Sequence, residues 1–192
     1  MELELPEGKY IGTPYSAKIL KRRGVKVDLK LVEDFFIPSE EDLKTIKIYL
    51  EGIETILDVG SGYGNLTNQI AKQRPEARVI GIDTMYWDKK FKRPTPAPNV
   101  KFEFNGIEAM AYANLRGKEI ETFDCVICSW MPHGADWREM ISILSRKMII
   151  LILSSQFATG TSETYTGMGE FGFMFERCWK SKDSIIQIWR RI

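Results

Sequence analysis

The segment from Thr55 to Leu66 constrains the fold more than any other part of this sequence, because an apolar run there passes directly into three alternate glycines. The apolar run predicts a buried strand, and Gly60, Gly62 and Gly64 allow a tight turn before a helix begins. Such a turn brings bare backbone N–H groups and the positive end of the helix to one point. The segment therefore predicts a binding site for a nucleotide-like ligand.

The spacing of these glycines separates two classes of ligand. A dinucleotide fingerprint, G-x-G-x-x-G, requires its third glycine at the position that Asn65 occupies here. In this chain the third glycine comes one residue earlier, at Gly64. The spacing therefore disfavours hydride chemistry with NAD.

Carboxylates accompany the glycines on two predicted strands. Asp58 precedes the turn, and Asp83 ends the β-branched run that begins at Arg78. An acid at the tip of a neighbouring strand can accept two hydrogen bonds from a ribose diol, each contributing about 1.5–3 kcal/mol. The two acids favour cofactor binding over the alternative, which is a glycine turn that only packs a strand against a helix.

This arrangement resembles motif I, and the acidic strand end that follows it, in the class I S-adenosylmethionine-dependent methyltransferases. The resemblance implies that Asp58, Gly60 and Gly62 face the amino-acid half of S-adenosylmethionine and that Asp83 holds its ribose. The same resemblance includes four more positions in the cofactor site: Ser61, Tyr63, Gly64 and Thr84.

The adenine motif of the family is incomplete in this chain. After the third predicted strand the sequence reads Asn105-Gly106-Ile107-Glu108, where family members usually carry a Gly-Asp pair whose carboxylate meets the adenine amine. Ile107 stands in the place of the acid. We expect Asn105 or Glu108 to substitute for it, and all three residues are candidates for the adenine contact.

The fourth predicted strand ends at Ser129, and the resemblance places the next residues beside the transferred methyl group. Members that methylate planar nitrogen carry [Asp/Asn/Ser]-Pro-Pro-[Tyr/Phe/Trp] here, and Ser129 alone matches, which weakens nucleobase or glutamine methylation. Trp130 is a candidate to stack on the acceptor, with core packing as the alternative. His133, the one histidine, is a candidate base, although methyl transfer does not require one. Ser129, Trp130 and His133 are the catalytic candidates, and Ser129 is also a candidate for a cofactor contact.

Alternation of strand and helix patterns predicts an α/β fold with a parallel sheet covered on both faces. A capping box opens a first helix at Ser39. Predicted strands span 56–60, 78–83, 99–104, 123–129 and 148–153, and helices span 64–73, 107–115 and 136–144, the last capped by Asp136. Residues 173–179 and 185–189 read as a terminal hairpin. The resemblance implies a three-layer Rossmann-like fold whose seven-stranded, mostly parallel sheet has the order 3-2-1-4-5-7-6, with the last strand antiparallel.

We expect one domain over residues 1–192, because a chain of this length suits a single core. Residues 39–192 form the predicted Rossmann-like core. Residues 1–38 form a predicted N-terminal helical extension on the substrate side, and the long connection 154–172 is expected to shape the substrate pocket.

Composition bounds the partners and the compartment. A formal net charge of +1 provides no general attraction for nucleic acid, so a small-molecule or peptide acceptor is favoured and nucleic acid is possible but not favoured. The odd cysteine count, at Cys125, Cys128 and Cys178, predicts buried free thiols in a reducing compartment, hence a cytoplasmic location. Cys125 and Cys128 should point to opposite faces of a strand, and the sequence indicates neither a metal site nor a membrane span.

Three functions remain open at this point. The leading hypothesis is an S-adenosylmethionine-dependent methyltransferase. The second is an inactive methyltransferase-like binding or scaffold module, a hypothesis that the incomplete motifs encourage. The third is another Rossmann-like enzyme, either NAD-dependent or an aminopropyl transferase, although Ser129 and Trp130 stand where the latter would need acids. The acceptor and the oligomeric state are undetermined by the sequence.

Overall fold

A mixed seven-stranded sheet forms the centre of the protein. The computed structural model describes residues 36–83, 95–103, 121–131, 134–154, 159–182 and 184–192. The strands are β1 (Thr55–Val59), β2 (Arg78–Ile82), β3 (Val100–Glu103), β4 (Phe123–Ser129), β5 (Ser145–Ser154), β6 (Phe173–Ser181) and β7 (Ser184–Arg191). Their order is β3-β2-β1-β4-β5-β7-β6. This order confirms the predicted fold class and topology.

One strand of the sheet, β7, runs opposite to the other six. β1 pairs in parallel with β2 and with β4, and the outer pairs β2–β3 and β4–β5 are also parallel. β7 runs antiparallel to both β5 and β6. The predicted terminal hairpin and its antiparallel last strand are therefore confirmed.

Helices cover both faces of the sheet. The described helices are α1 (Glu40–Tyr49), α2 (Asn65–Gln73) and α3 (Arg138–Leu144), with two 3₁₀ turns at Glu163–Thr166 and Gly169–Phe171. One buried apolar cluster joins α1 and α2 to the sheet, and the other joins α3 to the opposite face. Strand residues alternate between the two clusters, because successive side chains of a strand point to opposite faces.

The cysteines follow this alternation only in part. Cys125 belongs to the first cluster and Cys128 to the second, as their spacing predicted. Burial raises the pKa of both thiols well above the ordinary value, so they remain protonated. Cys178, however, is exposed on β6, and its predicted burial is wrong. β6 lies at the edge of the sheet, so the residues at its middle have no covering layer among the described segments.

Boundaries differ from the sequence prediction at two places. α3 begins at Arg138, its N-cap residue is Trp137, and the cap position predicted for Asp136 is wrong. The Asp136 carboxylate instead accepts a hydrogen bond of 3.1 Å from the Arg138 backbone N–H and pairs with the Arg138 side chain. β5 begins at Ser145, directly after α3 ends, and is longer than predicted. The helix predicted at 107–115 and most of the predicted extension 1–38 lie outside the described residues.

A buried carboxylate docks α1 onto β6. Asp42 closes the capping box by accepting hydrogen bonds from the Ser39 backbone N–H at 2.9 Å and its hydroxyl at 2.7 Å. It also accepts the Trp179 indole N–H at 2.8 Å and the Ser181 hydroxyl. Burial raises the pKa of Asp42, but the hydrogen bonds from Ser181, Trp179 and Ser39 outweigh it and hold the pKa below its usual value.

Replacing Asp42 by asparagine should destabilise the protein by about 2–3 kcal/mol at neutral pH, because charge-assisted bonds are lost and a buried N–H₂ faces other donors. The stabilisation is present above the unfolded pKa of about 3.9 and is lost as the pH falls through the lower folded pKa. Urea unfolding of Asp42→Asn and of the exposed control Glu41→Gln measures this. If the difference in unfolding free energy between wild type and Asp42→Asn does not shrink below about pH 4, the prediction is contradicted.

Within the described ranges, no helix combines the length and apolarity needed to cross a membrane.

Candidate functional site

The loop between β1 and α2 turns through three left-handed residues. The φ angles are 74° at Gly60, 58° at Gly62 and 89° at Gly64. Residues with a side chain are strained by about 1–2 kcal/mol in this conformation, so each of the three positions requires glycine. The glycine triplet thus brings the chain from the end of β1 directly onto the first turn of α2.

Three backbone N–H groups of this loop are satisfied inside the protein. Those of Gly60 and Ser61 both donate to the Ile82 carbonyl at 3.0 Å. The N–H of Gly64 donates to the Ser61 carbonyl at 2.9 Å. For these three groups the expectation that they lie bare for a ligand is wrong, because the end of β2 supplies the acceptor for two of them and the loop itself supplies the third. The bonds to Ile82 fix the loop against β2.

Asp83 lies at the end of β2, directly against the loop. Its carboxylate accepts the Gly62 backbone N–H at 2.5 Å, and its own N–H donates to the Glu103 carbonyl of β3 at 3.4 Å. The half-buried side chain is thereby held at the loop. The structure brings together the glycine turn and the strand-end acid that the sequence predicted to share a site.

Two buried oxygen atoms beside the loop have no hydrogen-bond partner among the described residues. Asp58, only 1 % exposed, accepts the Thr67 hydroxyl of α2 at 2.6 Å through Oδ2, while its Oδ1 has no partner in the described segments. The same holds for the hydroxyl of Ser61. Unpaired buried acceptors cost about 1–3 kcal/mol each, so they are uncommon unless a ligand or water satisfies them.

Aromatic rings pack on the glycines from two sides, a feature that sequence reasoning missed. A Cβ atom built on Gly64 would lie 2.4 Å from Cζ of Phe102, and one on Gly81 would lie 2.8 Å from the same ring. A Cβ on Gly60 would lie 3.1 Å from Cζ3 of Trp137. The register of β3 on β2 sets Phe102 opposite Gly81. The glycine within predicted strand β2 was the sequence signal for this contact, because a strand glycine often marks a place where another group packs closely on the backbone.

The end of β4 lies next to the end of β1, since Cys128 pairs with Val59. Ser129 is half-buried there as the last residue of β4. Trp130 is 4 % exposed, belongs to the α1–α2 cluster and donates its indole N–H to the Ser184 hydroxyl at 2.9 Å. This placement favours core packing over acceptor stacking for Trp130.

Five of the predicted site residues lie outside the described part of the chain: Thr84, Asn105, Ile107, Glu108 and His133. Their roles remain predictions. Tyr63 and Gly64, by contrast, are placed in the loop, Tyr63 half-buried and Gly64 buried at the start of α2.

A family model described as a methyltransferase domain matches residues 51–179, which include the glycine loop, both carboxylates and most of the sheet. The chain belongs to this methyltransferase family. The family uses S-adenosylmethionine, in agreement with the predicted cofactor. No curated protein matches the sequence.

Solved methyltransferase structures share the fold of the chain. Human N-acetylserotonin methyltransferase in complex with S-adenosylmethionine has a TM-score of 0.56 and 14 % identity over 78 % of this chain and 51 % of its own. Precorrin-6y C5,15-methyltransferase from Geobacter metallireducens has a TM-score of 0.56 and 18 % identity over 80 % of this chain and 89 % of its own. The S-adenosylhomocysteine-bound N-terminal domain of EvdMO1 has a TM-score of 0.59 and 13 % identity over 88 % of this chain and 87 % of its own. The chain thus spans about half the length of the human enzyme.

The described residues at the loop fit the cofactor. Among them, the Asp58 and Ser61 oxygens without a partner can accept hydrogen bonds, and the amino-acid half of S-adenosylmethionine carries N–H donors. Asp83 presents a carboxylate at a strand end, the kind of group that accepts hydrogen bonds from a sugar diol. This set of acceptors therefore suits a ligand with an ammonium group and a sugar diol.

The connection between β5 and β6 folds against the end of β4. The Gly160 N–H donates to the Met131 carbonyl at 3.0 Å, and its carbonyl accepts the Gly134 N–H at 2.8 Å. Arg138 of α3 donates to the Gly167 carbonyl at 3.0 Å. The described part of the connection is therefore fixed beside the β4 end. That it shapes a substrate pocket remains a prediction.

The stability of the protein should depend on pH through Asp58. Burial raises the pKa of Asp58 to about 7, the Thr67 hydrogen bond lowers it, and the nearby Asp83 raises it. Because the folded pKa lies above the unfolded value of about 3.9, the stabilising contribution is complete below about pH 4 and is lost as the pH rises through about 7.

Asp58→Asn should therefore flatten the pH dependence of the thermal midpoint between about pH 4 and pH 7, because the titrating group is gone. The measurement is thermal unfolding of the ligand-free protein across this range. Glu54→Gln, an exposed change next to β1, is the control. An unchanged slope in Asp58→Asn would show that Asp58 ionises normally in the folded protein.

Proposed function

We propose that the protein transfers a methyl group from S-adenosylmethionine to a small-molecule or peptide acceptor. The observation that carries the proposal is the glycine loop hydrogen-bonded to the β2 acid, with the unpaired oxygens of Asp58 and Ser61 beside it. This arrangement lies where β1 and β4 end side by side, at the reversal of strand order where ligands of open parallel sheets bind.

The residues of the chain contribute binding and alignment to this reaction. S-adenosylmethionine supplies an activated methyl group, and the electron pair of its broken carbon–sulfur bond remains on sulfur. Asp83 accepts the ribose hydroxyls, while Asp58 and Ser61 accept hydrogen bonds from the amino-acid half. Because the leaving sulfur needs no protonation, holding the acceptor in line with the methyl group supplies most of the rate.

The acceptor side of the proposal rests on the β4 end. Ser129 lies at the last position of β4, next to the loop, and is the described catalytic candidate that remains partly accessible. We propose His133 as the group that takes the proton released by an attacking oxygen or nitrogen near neutral pH. Adenine contacts are proposed for Asn105, Ile107 and Glu108.

A small-molecule acceptor is favoured by two observations. The structural neighbours include enzymes named for small molecules, N-acetylserotonin and precorrin-6y. The formal net charge of +1 provides no general attraction for nucleic acid. A cytoplasmic location is proposed with this activity, from the odd cysteine count.

Thermal unfolding with S-adenosylmethionine, S-adenosylhomocysteine and NAD tests the donor. A ligand at one hundred times its dissociation constant stabilises by about 2.7 kcal/mol, which raises the midpoint of a chain of this size by roughly 5–11 °C. We expect this rise with the first two compounds. Stabilisation by NAD alone would overturn the proposal.

Incubation of labelled donor with a cell extract separated into small molecules, protein and RNA tests the acceptor. We expect label in the small-molecule or protein fraction, and label in RNA would overturn that part of the proposal. Binding of the donor with no transfer to any fraction would instead favour the scaffold alternative.

A further inference from the structure

The indole ring of Trp137 flanks the first glycine of the loop. Its Cζ3 and Cη2 atoms lie 3.1 and 3.6 Å from the position of a Cβ built on Gly60. Gly60 follows Val59, which pairs with Cys128 of β4. The ring therefore lies at the junction of β1 and β4, which is the crevice assigned to the methyl donor.

The backbone of Trp137 is held from several directions. Its N–H donates to Sδ of Met131 at 3.4 Å, and its carbonyl accepts the first hydrogen bond of α3, from Ile141, at 2.9 Å. The next residue, Arg138, is buried and is fixed by the Asp136 carboxylate. Ordering the ring on ligand binding should therefore cost little, because its position is already set.

The ring itself retains capacity for a ligand. It is half-buried at the margin of the α3 cluster, and its indole N–H donates to none of the described residues. Trp130 and Trp179, in contrast, both donate to side-chain oxygens. A partly exposed tryptophan beside the glycine loop, whose Gly62 N–H is bonded to the Asp83 carboxylate, presents a surface that attracts cations.

We propose that the Trp137 ring contacts the sulfonium of S-adenosylmethionine, so that the site holds the charged donor more tightly than the neutral thioether product. The inference rests on the proposed function. A ring that attracts the sulfonium loses this attraction when the methyl group leaves, because S-adenosylhomocysteine keeps the ammonium and carboxylate but carries no charge on sulfur. Trp137 thereby favours product release as well as donor capture.

Calorimetric titration of both compounds into wild-type protein, Trp137→Leu and Trp137→Phe tests the inference. In Trp137→Leu we expect the dissociation constant of S-adenosylmethionine to rise about tenfold and that of S-adenosylhomocysteine to rise less than about threefold. Trp137→Phe keeps an aromatic ring and should retain most of the preference. Trp179→Leu, on β6, is the matched control and should change neither constant.

The outcomes separate this inference from the proposed function. Wild-type protein that binds neither compound would end the proposed function and the inference together. If Trp137→Leu weakens the binding of both compounds equally, the ring contributes only apolar packing and the sulfonium contact is overturned. Unchanged affinities for both compounds would also overturn the sulfonium contact. Thermal midpoints of the variants verify folding, and the Trp137→Phe ratio decides the question if the leucine variant unfolds.

Discussion

Gly64→Ala should destabilise the protein by about 2–5 kcal/mol and weaken S-adenosylmethionine binding at least about tenfold. Left-handed backbone with a side chain costs about 1–2 kcal/mol, and overpacking adds about 1–3 kcal/mol. The new Cβ would lie 2.4 Å from Cζ of Phe102. The same ring also packs closely against Gly81, so it has little room to move away. The loop must shift instead, and it carries the cofactor contacts.

Gly52→Ala is the matched control for backbone strain. Gly52 has a φ of 73°, close to that of the loop glycines, and its Cβ would meet nothing within 4 Å. Urea unfolding should therefore show that Gly52→Ala lowers the free energy of unfolding only by the backbone strain, about 1–2 kcal/mol. In a Phe102→Ala background, the effect of Gly64→Ala should fall toward that of Gly52→Ala. Equal losses for Gly64→Ala and Gly52→Ala in the wild-type background would refute the steric account.

Asp83→Ala should raise the dissociation constant of S-adenosylhomocysteine by tenfold to about one hundredfold or more. Each charge-assisted hydrogen bond contributes about 1.5–3 kcal/mol, and the proposed ribose contact comprises two. The same change removes the acceptor of the Gly62 N–H, so the loop also loses an anchor. Calorimetric titration measures the affinity, and thermal unfolding measures the loss of the anchor.

Two further variants separate charge from geometry at this position. Asp83→Asn keeps an oxygen acceptor without the charge and should give an intermediate affinity. Glu51→Ala removes an exposed carboxylate before β1 and should leave the affinity unchanged. Wild-type affinity in Asp83→Ala would show that the ribose is held by other residues.

Most of the sheet was predictable, because each strand has a local cause. β1 and β2 are apolar, β-branched runs, and each ends where an acid or a glycine follows. The strand order came from the family resemblance and not from the pattern alone. The start of α3 was misplaced, because Asp136 binds the guanidinium of Arg138 as well as a backbone N–H. A side chain with two suitable partners gives an ambiguous capping signal.

The sequence predicted which residues form the site better than it predicted the contacts between them. The sequence identified Asp58, the glycines and Asp83 as neighbours, and the structure places them together. It did not identify Thr67 or Trp137, since neither belongs to a recognisable motif. Thr67 reaches Asp58 because it lies in the first turn of α2, directly after the loop that follows β1.

The sequence by itself determined where the strands form, where the chain must turn in the left-handed region, and which chemical groups follow the strand ends. These properties depend on residues close together in the chain. The tertiary structure decided which polar groups are satisfied. The Gly62 N–H finds its acceptor at Asp83, at the end of the neighbouring strand, so it is not bare as the sequence suggested. Trp130 is buried and bonded to Ser184, which favours core packing over the stacking role that the sequence also allowed. Hydrogen-bond partners come from strands distant in sequence, and only their packing determines what remains for a ligand.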